Sequence, residues 1–328
     1  MDLPLIFMVL MGVAVLAYVV LDGYDLGVGM LMPAATAAEQ SVMVASIGPF
    51  WDANETWLVL GIGILLVAFP QAHGVVLGEL YLPVVAMLVG LMLRGVAFEF
   101  RMKALGWHRE LWNALFWAGS FLASFAQGFM LGRYVTGFGD GIGYLAFAAI
   151  VGASVCGGYV LLGATWLVHK TEGALQAKAL AWSRWGLAWV ALAVALVSLA
   201  TPLVSETVHE KWFDFPRTLA LLLLPAACVA AGVWVWVSTG RLRGGAPVSD
   251  LQPFAAAVAI FVIAFLGLAY SLFPYVVMDK LAIWQAASAP ESLVVIAIGC
   301  AITVPTILGY TVFSYWVFRG KAKALSYA

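Results

Sequence analysis

Acidic side chains at helical spacing lie at the edges of long apolar runs in this sequence. Asp22 and Asp25 occur in LDGYDLGVG, and Asp52, Asn54 and Glu55 occur in WDANETW. The two acids of each motif are three residues apart, so they project from one face of a helix. Carboxyl groups in such apolar surroundings usually mark the path of a proton, an ion or a polar substrate.

A third motif, RGVAFEFR, adds Arg94 and Glu99 at another apolar run. A guanidinium is always charged, so Arg94 needs an anionic partner near the membrane core, and we expect Asp25 to supply it. The residues alone leave a structural alternative open. The polar groups could be ion pairs and helix caps that fix helix packing, with Asp52 capping its helix.

The composition requires that lipid surrounds most of the chain. Of its 328 residues, 64% are hydrophobic and 10% are charged, and the mean hydropathy is +1.01. Soluble domains, in contrast, carry about 25% charged residues. The net charge of −1 gives no reason to expect a nucleic-acid partner. We therefore predict an all-α integral membrane protein.

Because a helix needs about 20 apolar residues to cross a bilayer, the hydropathy pattern predicts about nine transmembrane helices. The connections between them are too short for a soluble domain. Within the first span, Gly23 and Gly27 form a G-x-x-x-G pattern, which lets another helix approach closely. The predicted spans are 3–31, 48–69, 75–99, 111–132, 141–168, 184–204, 217–238, 253–276 and 292–318.

Basic residues alternate between the two sides of these spans. They concentrate around and after the ends of spans three, five, seven and nine: Arg101, Lys103, Arg109, Lys170, Lys178, Arg184, Arg241, Arg243, Arg319, Lys321 and Lys323. The other connections hold Arg133, Lys211, Arg217 and Lys280. By the positive-inside rule the N-terminus is periplasmic and the C-terminus is cytoplasmic. The three polar motifs then lie near the cytoplasmic ends of spans one to three.

The sequence offers no obvious ligands for a redox cofactor. The histidines lie near span ends or in connections and form no pair at helical spacing: His73, His108, His169 and His209. The three cysteines are far apart within apolar segments, which is typical of core residues. We therefore expect no haem and no metal in this chain. A secondary ion or solute transporter subunit is the alternative function, although transporters usually carry broken helices in both halves.

The motifs resemble subunit II of the cytochrome bd-type quinol oxidases, bacterial terminal oxidases that are unrelated to the haem–copper enzymes. LDGYDLGVG resembles the first-helix signature of that subunit, WDANETWLVLGIG the start of its second helix and RGVAFEFR the end of its third. LFPYVV, at 272–277, resembles a late-helix motif. The RGVAFEFR motif and the compact length are most similar to the cyanide-insensitive branch.

The resemblance implies a fold and a complex. The fold would be two four-helix bundles, in 1–133 and 141–278, plus an extra helix and a cytoplasmic tail in 292–328. The partner would be subunit I, which carries haems b and d, or b-type variants, and oxidises ubiquinol to reduce oxygen to water. This chain would bind no haem. A small single-helix accessory subunit is a further candidate partner, and the complex would lie in the bacterial inner membrane.

The resemblance also implies a proton path. Asp52 matches the proposed entrance acid of a path that leads from the cytoplasm towards the oxygen-reducing subunit. We expect Glu55 to support hydration of the mouth beside Asn54. A carboxyl group at such an entrance can take up and release protons, as a relay requires.

A polar or cation-binding cluster is implied near the same side of the membrane. Asp25 and Arg94 match residues associated with that cluster, and Asp22 and Glu99 lie at the same level. Where the family pattern leads us to expect a further acid early in the fourth helix, this chain has Asn113. The change removes a carboxylate and puts a bound cation in doubt.

The alternation of basic residues predicts the topology. A reporter that is active only outside the cytoplasm should be inactive when fused after Ala328, and active when inserted between Pro202 and Arg217. Alkaline phosphatase activity in whole cells measures this difference. The reverse pattern would place the acidic motifs at the periplasmic side.

Overall fold

The computed structural model describes residues 2–322, except the side chains of residues 217 and 220, and it is almost entirely helical. Residues 323–328, which include Lys323 and the end of the predicted cytoplasmic tail, lie outside the described part. The helices are α1 (Leu3–Leu31), α2 (Ala37–Ile47), α3 (Trp51–Ala68), α4 (Pro70–Glu79), α5 (Tyr81–Lys103), α6 (Trp107–Val135), α7 (Ile142–Lys170), α8 (Gly173–Val204), α9 (Glu206–Trp212), α10 (Arg217–Leu221), α11 (Leu223–Arg243), α12 (Gln252–Leu272), α13 (Ile283–Ala286) and α14 (Pro290–Val317).

Two short elements complete the fold. A 3₁₀ turn at Met32–Ala34 extends α1. Strands β1 (Tyr275–Val277) and β2 (Leu281–Ala282) form a small antiparallel hairpin between α12 and α13.

Nine helices within residues 2–322 are long and apolar enough to cross a membrane, and they are α1, α3, α5, α6, α7, α8, α11, α12 and α14. This result confirms the predicted all-α fold with nine spans. Large apolar side chains cover much of the outer surface of these helices, as lipid contact requires.

Several predicted span boundaries are wrong, each for a local reason. The third span begins at Tyr81, because residues 70–79 form the separate helix α4. Proline at the start of α4 is well tolerated, since the first turn of a helix has no partner for that N–H. The seventh span begins at Leu223, after the short helix α10. The eighth ends at Leu272, close to Pro274, which disfavours continued helix.

The predicted sixth span, 184–204, is too short, because the charged residues before it are assigned to a connection. Helix α8 begins at Gly173 and includes Lys178 and Arg184. Lys178 Nζ donates to the Glu39 carboxylate at 2.7 Å. The guanidinium of Arg184 lies 4.4 Å from the ring centre of Trp236. Partners from other helices thus stabilise both cations inside a long helix.

Helix α1 lies at the centre of the packing. It packs against α3, α6, α7 and α12. Helices α5 and α6 pack together beside it, and α7, α8, α11 and α12 pack against one another on the other side. Helix α14 lies against α3 and is mostly exposed.

Glycines allow α1 and α7 to pack backbone against backbone. A Cβ on Gly27 would lie 1.8 Å from the carbonyl oxygen of Tyr159, and one on Gly163 would lie 2.4 Å from the amide nitrogen of Val28. A Cβ on Gly23 would come within 2.7 Å of the Tyr159 ring. The close helix approach predicted from the G-x-x-x-G pattern is therefore confirmed.

Gly27→Ala should destabilise the protein, because the added methyl group overlaps the backbone of α7 and the two helices must separate. Overpacking of this kind costs about 1–3 kcal/mol or more. The matched control is Gly63→Ala in α3, where a Cβ would meet no atom within 4 Å. The fraction of monodisperse protein after heating in detergent, measured by size-exclusion chromatography, should fall at a lower temperature for Gly27→Ala only. Equal midpoints for both variants would contradict this packing argument.

Candidate functional site

The candidate site centres on a buried arginine between three helices. Arg94, from α5, is 1% exposed, and its Nη1 donates to Oδ1 of Asp22, from α1, at 2.6 Å. Its Nη2 donates to Oε1 of Glu55, from α3. Asp22 is fully buried, whereas Glu55 is 29% exposed. The prediction that Asp25 pairs with Arg94 is therefore wrong, because Asp22 and Glu55 make the direct contacts.

Asp25 lies in an adjoining group that Asn54 organises. Asn54 Nδ2 is 2.7 Å from Asp25 Oδ2, 3.0 Å from the Tyr24 hydroxyl and 3.2 Å from the carbonyl oxygen of Leu21. The Tyr315 hydroxyl, from α14, donates to Asn54 Oδ1 at 3.3 Å and is 2.6 Å from the Tyr24 hydroxyl. Asn54 thus holds Asp25 in place and joins α14 to α1 and α3.

The buried carboxyl groups outnumber the cation that they face. Asp22, Asp25 and Glu55 all act electrostatically on Arg94. Asp22 Oδ2, Asp25 Oδ1 and Arg94 Nε are buried without a hydrogen-bond partner in the described part of the chain. Burying an unpaired carboxylate is costly, and one arginine does not offset the charge of three ionised acids. The cluster therefore favours uptake of a proton or of another cation.

The polar network continues past Asp22 through residues that the motifs did not reveal. Gln127 Nε2, from α6, donates to the Tyr18 hydroxyl at 2.7 Å, and the Tyr159 hydroxyl donates to Gln127 Oε1 at 2.6 Å. Tyr18 and Tyr159 both lie near Asp22. The one sequence feature that could have indicated this network is Gln127, a polar amide within the apolar fourth span.

Asp52 stands at the exposed edge of this site. It lies in the first turn of α3, one turn before Glu55, and its side chain is exposed. The helix cap is Phe50, without a side-chain cap hydrogen bond. The Asp52 side chain forms no hydrogen bond or ion pair within residues 2–322. The suggestion that Asp52 caps its helix is therefore wrong.

Two predicted members lie outside the cluster. Glu99 is exposed on α5. Asn113 accepts a hydrogen bond from Arg101 Nε and donates to Gln40 Oε1 at 2.8 Å, in a separate polar group. Glu99 is predicted at the level of Arg94 from its position along the chain, and Asn113 is included because of the family resemblance. Neither specifies the direction in which a side chain projects.

The described histidines and cysteines are scattered through the fold. Within residues 2–322, no three His, Cys, Asp or Glu side chains are arranged to hold a metal ion. His169, at the end of α7, has a definite partner, since its Nδ1 lies 2.9 Å from Asp250 Oδ1.

Arg94→Gln should sharply reduce the amount of folded protein, because it leaves Asp22 and Glu55 without their cation. Removing one partner of a buried pair costs about 3–5 kcal/mol. Adding Asp22→Asn to the same chain should restore part of the yield, since it removes one unpaired acid. Yield is measured as monodisperse protein extracted from membranes. Equal yields for Arg94→Gln and the unaltered chain would show that the pair is dispensable.

The comparisons with known proteins agree across the whole chain. The sequence model for cytochrome bd terminal oxidase subunit II matches residues 3–318. Cytochrome bd-I ubiquinol oxidase subunit 2 of Escherichia coli (strain K12) is 26% identical, with 97% of this chain and 95% of that protein covered. Cytochrome bd ubiquinol oxidase subunit 2 of Bacillus subtilis (strain 168) is 29% identical, with 96% of each covered.

A solved structure supports the fold independently. The structure of bd oxidase from Geobacillus thermodenitrificans superposes with a TM-score of 0.78 at 16% identity, with 98% of this chain and 100% of that chain covered. The nine-span fold, the three polar motifs and the match over nearly the full length place this chain in the cytochrome bd terminal oxidase subunit II family.

Proposed function

We propose that this chain is the haem-free subunit of a quinol:oxygen oxidoreductase and acts only within that complex. Its relatives in Escherichia coli and Bacillus subtilis are named as subunits of ubiquinol oxidases, which supports ubiquinol as the substrate of the complex. The partner is a subunit I that carries haems b and d, or b-type variants. The transporter alternative has no comparable support, because family membership favours an oxidase.

The proposed complex lies in the bacterial inner membrane, with the N-terminus of this chain periplasmic and its C-terminus cytoplasmic. The division into two bundles plus an extra helix remains part of the proposal. The mutual packing of α7, α8, α11 and α12 supports the second bundle, and the position of α14 against α3 supports the extra helix. A small single-helix subunit remains a prediction from the family resemblance, and the cyanide-insensitive branch remains a prediction from the RGVAFEFR motif and the length of the chain.

The second part of the proposal is a path that brings cytoplasmic protons towards the oxygen-reducing subunit. A series of three acids carries this proposal. Asp52 is exposed, Glu55 lies one turn further into the membrane, and Asp22 is buried on the other side of Arg94. Because Arg94 binds both inner acids, it holds them on the two sides of one guanidinium group. Charge is then separated across the membrane without proton pumping, because the protons that form water are taken from the cytoplasm.

The excess of acid in the cluster suits a relay. Asp22, Asp25 and Glu55 face the single charge of Arg94. A proton that binds to one of these three carboxyl groups reduces their net negative charge, so proton uptake by the cluster is favourable. Release towards the next group restores the starting state. Arg94 keeps its charge throughout and prevents the remaining carboxylates from being buried without a cation.

The buried side of the path continues through hydroxyl groups. Tyr18 lies near Asp22, and Gln127 joins Tyr18 to Tyr159 by hydrogen bonds of 2.7 and 2.6 Å. Tyrosine hydroxyls both donate and accept, so they can pass a proton along a chain of hydrogen bonds. The proposed direction is therefore from Asp52 through Glu55 and Asp22 towards α6 and α7.

Asp52→Asn tests the entrance. The change removes a titratable group but breaks no contact within the described residues, so assembly and haem content of the complex should stay normal. Quinol-driven oxygen uptake should fall by about tenfold, which is less than the roughly 10²–10⁴-fold effect of a positioned proton-transfer group. Water at the exposed mouth limits the loss, because it can deliver some protons directly.

The matched control is Glu99→Gln, which neutralises an exposed acid on α5 outside the series. Asp52→Glu should restore most of the activity, because it restores a carboxyl group. Unchanged oxygen uptake by Asp52→Asn at every pH, in a complex with full haem content, would rule out Asp52 as the entrance.

A further inference from the structure

A second polar region, apart from the acids around Arg94, surrounds a cavity of about 490 Å³ where α5 ends and α6 begins. Polar side chains on its wall come from Gln40, Arg109, Glu110 and Asn113, and the remaining wall includes Met32, Pro33 and Trp117. The cavity lies at the ends of two membrane spans, so it faces the zone where lipid headgroups lie.

Two arginines give this region a positive charge. Arg101, which binds Asn113 but does not line the cavity, is 2% exposed, and Arg109 is close enough to act on it electrostatically. Arg101 Nε donates to Asn113 Oδ1, and Arg109 Nη2 donates to Ser41 Oγ at 2.6 Å. Arg101 Nη2 and Arg109 Nε are buried without a hydrogen-bond partner in the described part of the chain.

The nearby acids do not neutralise these arginines. Glu110 lines the cavity but is exposed, and within residues 2–322 it forms no ion pair with Arg101 or Arg109. Glu39 is already occupied: its carboxylate binds Lys178 at 2.7 Å and accepts from the Thr36 amide at 2.7 Å. The hydrogen bond from Lys178 lowers the pKa of Glu39 to about 2, so this acid stays ionised and paired with Lys178.

The chemistry of the cavity fits a phosphate group. Guanidinium donors match phosphate oxygens in both geometry and charge. Helix α6 begins beside the cavity at Trp107, after the cap residue Gly106, and no side chain caps it. Its positive end therefore favours an anion, although Glu110 in the first turn offsets part of that field. Met32, Pro33 and Trp117 provide apolar surface next to these donors.

We propose that this cavity binds the phosphate headgroup of an anionic phospholipid, with the glycerol and the start of the acyl chains against Met32, Pro33 and Trp117. The apolar wall favours a lipid over free inorganic phosphate, which would leave that wall uncovered. The bound phosphate would join α2 and α6 by completing the hydrogen bonds of Arg109, while Arg101, which binds the wall residue Asn113, adds positive charge without lining the cavity. This inference is independent of the proposed proton path.

The test uses the intact purified protein with whatever subunits accompany it. It is exchanged into micelles doped with phosphatidylglycerol or phosphatidylcholine, and native mass spectrometry counts the retained lipids. The unaltered protein should retain phosphatidylglycerol in preference to phosphatidylcholine. Arg109→Gln should weaken that retention by about tenfold, since a hydrogen bond to a charged group is lost.

Two further variants separate the site from general surface charge and from misfolding. Lys103→Gln removes an exposed cation at the end of α5, six residues before Arg109, and should retain lipid normally. Ala114→Phe fills the cavity from its wall without changing charge and should also lose the lipid. The proposal is overturned if the two phospholipids are retained equally or if Lys103→Gln loses as much as Arg109→Gln. It is equally overturned if excess inorganic phosphate displaces phosphatidylglycerol.

Discussion

The charge of Arg94 is the constraint on which the buried part of this protein depends. An arginine keeps its proton even in hydrocarbon, so it must meet anions at its own depth in the membrane. Asp22 from α1 and Glu55 from α3 meet that need. Because both acids must face α5 at one level, the rotation and the height of three helices are set together. Rotation of any one of them would leave a charge facing lipid.

Helix α1 links this ionic centre to the rest of the fold, because one of its faces is acidic and another is lined by glycine. One face presents acids to α3 and α5, and another presents Gly27 to the backbone of α7. That approach places Tyr159 of α7 beside α1, and Gln127 of α6 binds both Tyr159 and Tyr18. The contact of α6 with α7 is also close, since a Cβ on Gly128 would lie 2.7 Å from Gly152. The hydrogen-bonded network beyond Asp22 therefore depends on glycines that have no polar side chain of their own.

Helix α5 carries two polar centres of opposite character within two helical turns. Around Arg94 acids outnumber cations, whereas around Arg101 and Arg109 cations have no acid that binds them in the described residues. The two centres do not neutralise each other, because each is held by its own partners on different neighbouring helices. An acid-rich centre favours protons or cations and an arginine-rich one favours anions, so the two are suited to different ligands.

Much of this protein could be predicted from the sequence alone. Hydropathy is a property of each local segment, so the spans, the all-helical class and the unusual acids followed from composition and spacing. The G-x-x-x-G pattern predicted a close helix contact for a similar reason, since small side chains leave space whatever the partner. Boundaries failed where tertiary partners stabilise charges inside a helix, as Glu39 and Trp236 do for Lys178 and Arg184.

Only the tertiary structure decided which polar groups meet. Asp22 and Asp25 lie on the same face of α1, so spacing gave no means to tell which of them pairs with Arg94. Asn113 and Glu99 lie near the right level but project elsewhere, and Gln127 drew no attention because one amide in an apolar span carries little signal. Pairing depends on the relative rotation and height of separate helices. Those quantities come from packing over the whole molecule, which no local segment of the sequence contains.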